Sequence, residues 1–213
     1  GSRSLAGIGM VEDTFFGVRM RQHLRQELKA KRIQISVAEK MAAAEVVATH
    51  ILNHLPASGG TLAAYWACSG ELPLHILQMR LPSHWIWCLP VVQADRQLLF
   101  APWRPGDELA TNQYGIPEPA LAPSSCLQPN ELSAVLVPLL GFTRHGQRLG
   151  MGGGYYDTSF AFRKNQLVAP QLIGVAFACQ EIDTLNVQDW DINMDFIATE
   201  NEWINCHAKE KQS

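Results

Sequence analysis

Apolar positions near the start of the chain recur with a period of about 3.6 residues, the mark of a helix with one buried face. From Arg19 to Ile35 the residues Met20, Leu24 and Leu28 share a stripe, while Arg21, Arg25, Lys29 and Arg32 occupy the rest of the cylinder. This predicts an amphipathic, basic helix. Ser36 followed by Glu39 makes a capping box for a second helix, whose stripe runs through Val37, Met41, Ala44, Ala48, Ile51 and Leu55 until Pro56 stops it. Ser58-Gly59-Gly60 turns the chain out.

Beyond that turn the rhythm changes to short, nearly unbroken apolar runs, as in strands buried on both faces. Thr61 to Ala67 is the first, ending at Ser69-Gly70-Glu71, and Leu74 to Leu81 reads as a short helix. Trp85 to Val92 and Gln97 to Trp103 form a strand pair joined at Ala94-Asp95-Arg96. From Arg104 to Pro129 the chain is polar and proline-rich, and a loop of that length inside a compact domain is usually a lid or a binding loop. Ala134 to Phe142 is a strand, Tyr155 to Lys164 a helix, Gln171 to Ala178 a strand, and Asp195 to Thr199 a last short strand. Strands alternating with helices predict an α/β domain with a mostly parallel sheet between helical layers, spanning residues 10 to 204. Gly1-Ser2 reads as a cleavage scar and Met10 as close to the native start, so residues 1 to 9 are expected outside the fold. Residues 205 to 213 are expected to fray.

One stretch stands apart. Gly146 to Asp157 reads Gly-Gln-Arg-Leu-Gly-Met-Gly-Gly-Gly-Tyr-Tyr-Asp and follows a buried strand directly. Residues without Cβ let a backbone approach an anion closely and adopt positive φ cheaply, and Arg148 adds a fixed charge. The stretch is not a Walker motif, because no Gly-Lys-Ser/Thr follows. Nor is it the dinucleotide fingerprint, because Tyr155 stands where the third glycine belongs. On the residues alone it is either a phosphate cradle or a tight strand-to-helix turn. Arg21 and Arg25, one helical turn apart, are either a polyphosphate clamp or solvated surface. Glu71, just beyond a buried strand, is either a ligand-binding acid at the sheet's carboxyl edge or a helix-start acid.

With 213 residues, 47% hydrophobic and 17% charged, the chain has material for one proper core. A net charge of -3 with no long basic run excludes general binding to nucleic acid or anionic membrane. No apolar segment reaches the roughly 20 residues that cross a bilayer. The five cysteines lack Cys-x-x-Cys or histidine-partnered spacing, so neither zinc nor a disulfide framework is expected, and a reducing cytoplasm suits them. His145 beside a turn glycine, like His50, His54, His75 and His84, is given no role.

The string Val137-Pro138-Leu139-Leu140-Gly141-Phe142, then Gly146-x-Arg148-Leu149-Gly150-x-Gly152-x-Gly154-Tyr155-Tyr156-Asp157, resembles the signature of the 5-formyltetrahydrofolate cyclo-ligase family. The resemblance extends from Arg21 to Thr199. It implies an architecture similar to NagB/RpiA/CoA-transferase-like folds, and ATP-dependent closure of 5-formyltetrahydrofolate to 5,10-methenyltetrahydrofolate with Mg²⁺, through a phosphorylated formyl group. It further implies an ATP site at Arg21, Gln22, His23, Leu24 and Arg25, and at Arg148, Leu149, Gly150, Met151, Gly152, Gly153, Gly154, Tyr155 and Tyr156. Trp66, Glu71, Glu118 and Met151 to Tyr155 would contact the folate, Asp157 and Asp191 the metal, and Arg148 and Tyr155 would act in catalysis. Small-molecule substrates are the only partners implied, with no nucleic acid or membrane; a monomer is expected.

Three departures from the family pattern bear on this. Thr143 stands where aspartate is usual, Gly153 where some members have lysine, and Trp190 where histidine often precedes the acid. Thr143 and Trp190 keep open a second reading, a non-catalytic nucleotide- or folate-binding relative. A sugar-phosphate isomerase is a remoter third, which the arginine pair and Tyr155-Tyr156-Asp157 speak against.

Overall fold

The computed structural model describes residues 6–208, with side-chain surroundings from residue 15 onward. In order, the elements are α1 (Ala6–Ile33), α2 (Val37–His54), β1 (Gly60–Ala63), α3 (His75–Arg80), β2 (Trp85–Val92), β3 (Leu98–Pro102), β4 (Leu109–Thr111) and β5 (Pro117–Pro119). There follow β6 (Ala134–Pro138), β7 (Gly141–Phe142), β8 (Arg148–Leu149), α4 (Tyr155–Ser159), β9 (Gln171–Val175), β10 (Phe196–Ala198) and β11 (Trp203–Asn205). Of the stretch expected outside the fold, Ala6 to Gly9 belong to the first turns of α1, and residues 1–5 lie outside the described residues. At the other end Asn205 closes β11, and the tail past residue 208 also lies outside them.

Seven strands form the central sheet in the order β11-β10-β9-β6-β1-β2-β3. The inner pairings are parallel, and the edge strands β11 and β3 are antiparallel. Unbroken apolar runs suit the inner strands because both faces are covered. Leu62, Leu136, Ile173 and Val175 pack against Ala44, Val47, Ala48 and Ile51 of α2 and Ile76 and Leu77 of α3. Ala63, Val135, Val137 and Leu172 face the opposite way, onto Phe142, Phe160, Ile192 and Met194. That second layer is thin, because α4 ends at Ser159 and a 3₁₀ turn over Ala161–Arg163 follows where a longer helix is predicted. The capping box at Ser36 and Glu39 forms as expected. The inward face of α2 is rotated, however: Ala44, Ala48 and Ile51 are buried while Val37 and Met41 face solvent. In α1 Met20 is likewise exposed, and the packed stripe begins at Leu24.

The predicted strand from Ala134 to Phe142 divides in two, and this positions the site. Pro138 has no N–H to extend a ladder, so the chain leaves the sheet there, and β7 pairs with β8 as a separate two-stranded hairpin. Leu28 and Leu24 of α1 lie on that hairpin against Leu140, Leu149, Ile182 and Leu185. Gly141 permits the approach: a Cβ there would stand 2.6 Å from Leu28 Cδ1. β1 leads to β2 on one side of the sheet, while its other neighbour β6 leads to β9 on the opposite side. The strand order therefore reverses between β1 and β6, and open α/β sheets bind ligands in the crevice at the carboxyl ends of such strands.

Candidate functional site

β8 delivers the chain into the glycine loop beside this crevice. Gly152 and Gly154 have φ of 99° and 73°, values that a side chain would strain, and Met151, Gly152 and Gly153 are exposed. Arginines from other elements hold the loop by its carbonyls. Arg25 Nε donates to the Gly150 carbonyl at 2.9 Å and Arg96 Nη1 to the Gly153 carbonyl at 2.5 Å. Among the described residues, no acceptor takes the N–H of Met151, Gly152, Gly153 or Gly154. The loop thus shows its carbonyls to cations and keeps donors for a ligand, the polarity an anion requires.

Arg148 lies beneath, its side chain 9% exposed. Its Nη2 donates to the Pro138 carbonyl at 3.3 Å, its Nη1 stands 4.0 Å from Asp157 Oδ1, and the guanidinium sits 5.5 Å from the centre of the Tyr156 ring. Its Nε is buried with no partner. Burial pushes the Arg148 guanidinium below its ordinary pKa, against the pull of Asp157, Tyr156 and Asp191. Burial and the charges of Arg21 and Arg148 push Arg25 the same way. Arg25 thus stands under the charge of two neighbouring guanidiniums, and Arg148 keeps a buried N–H without a partner, an arrangement that an anion would complete.

Arg21 is placed otherwise than a phosphate clamp. Its Nη2 donates to the Asn186 carbonyl at 2.5 Å and to Asp191 Oδ2 at 2.8 Å, pinning the 186–191 loop to α1, although its Nε is also buried and unpartnered. Asp191 Oδ2 also accepts the Gln188 N–H at 2.8 Å. Asp157 Oδ1 accepts the N–H of Ile192 at 3.1 Å, so the two predicted metal carboxylates come to one locality. Asp157 is the less committed. Among the described residues no group of three His, Cys, Asp or Glu side chains could hold a metal by itself.

On the other side of the crevice, Glu71 Oε1 accepts the Cys68 N–H at 3.0 Å and its thiol at 3.4 Å, and burial pushes the carboxyl above its ordinary pKa. Arg32, 3% exposed, donates to the Ser69 carbonyl and so fixes this turn. The Trp66 ring meets Trp103 edge to face at 5.8 Å. Tyr114, on the turn of the β4–β5 hairpin, joins its hydroxyl to that of Tyr155 at 2.5 Å. Glu118 is occupied within the protein: its Oε2 accepts from Val92 N at 3.1 Å and Asn112 Nδ2 at 3.2 Å, clasping that hairpin to the end of β2.

The fold therefore gathers Arg25, Arg148, the glycine loop, Tyr155, Tyr156, Asp157 and Asp191 around one crevice, and the charges of Glu71 and Arg148 both reach the Tyr156 hydroxyl. Gln22 and His23 are not brought in; both are exposed, and His23 Nε2 stands 2.9 Å from Glu27 on the outer face of α1. Leu24 and Leu149 are packing residues between α1 and the hairpin. Arg96 and Tyr114 reach the loop without any motif to announce them. Thr143 is buried and closes the β7–β8 turn through Gln147, so its departure from aspartate falls on a turn. Trp190 is exposed beside Asp191. Depressions of about 380 and 360 Å³ lie beside Ala43 and Phe177 and between Arg163 and His207, and the second reaches Asp191.

Residues 18–200 match the model of the 5-formyltetrahydrofolate cyclo-ligase family. The chain is 32% identical over 179 residues to the 5-formyltetrahydrofolate cyclo-ligase of Haemophilus influenzae, covering 81% of this chain and 93% of that one. It is 29% identical over 184 residues to that of Escherichia coli K12, covering 83% and 100%. Among solved structures it is similar to the 5,10-methenyltetrahydrofolate synthetase of Aquifex aeolicus, with a TM-score of 0.74 and 26% identity over 91% of this chain and 96% of that one.

Proposed function

The chain belongs to the 5-formyltetrahydrofolate cyclo-ligase family, a family of ligases, and from that premise we propose that it closes 5-formyltetrahydrofolate to 5,10-methenyltetrahydrofolate with hydrolysis of ATP. The observation that carries the ATP requirement is the glycine loop: free N–H groups on Met151 to Gly154, walled by Arg25 and by the buried, incompletely paired Arg148.

The formyl oxygen is a poor leaving group. It attacks the γ-phosphorus, the bond to the β,γ-bridging oxygen breaks, and ADP departs. N10 then adds to the activated formyl carbon and gives up its proton to solvent, and phosphate leaves with the former formyl oxygen, closing the ring. The protein has two tasks, alignment and charge neutralisation. Arg148, Arg25 and the loop N–H groups neutralise the transferring phosphoryl group. Tyr155, held by Tyr114, and the Trp66–Trp103 pair wall the pterin. The Glu71 carboxylate accepts pterin N–H groups in its half-buried turn. Asp157, with Asp191 behind it, suits Mg²⁺, which takes one or two carboxylates together with phosphate oxygens and water. When bound, the ion lowers the charge on the phosphate oxygens. Arg21 acts in this reading through its hold on the 186–191 loop, while Gln22 and His23 face away from it.

One domain, acting as a monomer on small molecules in the cytoplasm, completes the proposal; all five cysteines are unpaired, which suits a reducing compartment. No helix among the described residues is long and apolar enough to cross a membrane. The test is absorbance in the near ultraviolet, where methenyltetrahydrofolate absorbs, with protein, 5-formyltetrahydrofolate and Mg²⁺. A rise that requires ATP supports the reading. Binding of ATP or folate without any rise would favour the non-catalytic relative.

A further inference from the structure

The β2–β3 hairpin turns through Ala94–Gln97, where Gln97 N donates to the Ala94 carbonyl at 3.2 Å inside the 2.9 Å bond from Gln93 N to the Gln97 carbonyl. Its central residues, Asp95 and Arg96, have φ of 57° and 58°. Such turns favour glycine or asparagine because left-handed backbone strains other side chains. An arginine at the second position is therefore a poor choice for the turn, and strained residues that persist often serve a site. Here the side chain reaches 57 positions along the chain to the glycine loop, where its Nη1 donates to the Gly153 carbonyl. The same nitrogen stands 3.5 Å from where a Cβ on Gly154 would be. Arg25 bonds the loop at Gly150 and comes from α1; Arg96 bonds it at Gly153 and comes from the hairpin. Arg96 is exposed, and its charge reaches the linked hydroxyls of Tyr114 and Tyr155.

Resting on the function proposed above, we propose that Arg96 is a substrate-binding residue of this enzyme, taking an oxyanion on the solvent side of the glycine loop, either a nucleotide phosphate or a carboxylate of the folate's glutamate tail.

Arg96→Gly separates this role from a role in folding, since glycine relieves the turn. The measurements are thermal unfolding, and fluorescence titration of ATP and of the mono- and triglutamates of 5-formyltetrahydrofolate, with KM values beside them. The melting temperature is expected to hold or rise while one Kd weakens about tenfold, the scale of one charge-assisted hydrogen bond, with partial recovery in Arg96→Lys. Weakening confined to ATP identifies a phosphate; weakening confined to folate, and greater for the triglutamate, identifies a carboxylate. Unchanged affinities in Arg96→Gly overturn the proposal, as does a lowered melting temperature with both affinities falling together. Wild-type protein that binds neither ligand would instead sink the functional reading itself.

Discussion

Replacing Arg148 by methionine should separate function from stability. The side chain is 9% exposed, yet its links to the fold are thin: one hydrogen bond of 3.3 Å to Pro138, a 4.0 Å approach to Asp157, and an Nε with no partner. Losing the weak bond and leaving Asp157 less well paired costs about 1 to 2 kcal/mol, and removing the desolvated guanidinium returns part of that. Methionine keeps most of the packing volume. A net loss of about 1 kcal/mol in a chain of this size lowers the melting temperature by about 2 to 4 °C. Transition-state stabilisation by a fixed cation in a crevice is worth about 3 to 4 kcal/mol, so kcat/KM should fall by about 10² to 10³. Thermal unfolding and steady-state turnover under the same buffer conditions decide it. A melting temperature more than about 10 °C lower, with activity per folded molecule nearly intact, would refute the reasoning and make Arg148 a structural ion.

Three other outcomes follow from the same geometry. Glu71 has its pKa raised, chiefly by burial, so the native state holds its proton more tightly than the unfolded chain, and this contribution to stability is lost as pH rises from the ordinary value of 4.5 through the raised one. In the proposed function folate binding has the opposite sign, because there the carboxylate form is the one that accepts the pterin N–H groups. The acid limb of kcat/KM for folate should thus lie above pH 4.5 and vanish in Glu71→Gln; a limb unchanged by that substitution counts against the role. In Gly141→Val the new side chain meets Leu28 Cδ1 and lifts α1 from the hairpin, costing about 1 to 3 kcal/mol and raising KM for ATP more than for folate, as parallel unfolding and kinetic measurements would register. Asp157→Asn should shift the Mg²⁺ concentration for half-maximal activity upward by more than tenfold, whereas Asp191→Asn, whose carboxylate is held by Arg21, should lower the melting temperature as well; titrations in Mg²⁺ distinguish them.

The sheet's strands could be read from the chain because the inner ones are covered on both faces, and such strands show as apolar runs: Ala134–Pro138 and Gln171–Val175 lie within the runs that predict them. The second helix is declared by a local device, the Ser36–Glu39 box. What escaped the pattern depends on contacts distant in sequence. The break at Pro138 and the departure of Gly141 and Phe142 into their own hairpin reflect where α1 docks, and the periodicity of residues 134 to 142 carries no trace of it. α4 is cut short, and Arg163 beyond it is buried, donating to the Pro170 carbonyl at 2.8 Å and pairing with Asp195. The glycine loop was visible because an unusual composition was concentrated in one window. The arginines around it were visible only in part: Arg25 lies on a helical stripe, whereas Arg96 arrives from a turn whose strained backbone no residue pattern reveals. Arg21, equal to Arg25 in sequence terms, is drawn away by Asp191, 170 positions on.

The proposed reaction turns on transfer of the γ-phosphoryl group to the formyl oxygen at this loop. With 5-formyltetrahydrofolate labelled with heavy oxygen in the formyl group, the mass of the released phosphate reports the path directly. The account predicts that the label leaves in the phosphate, in step with methenyltetrahydrofolate formed; unlabelled phosphate alongside the same product would contradict it.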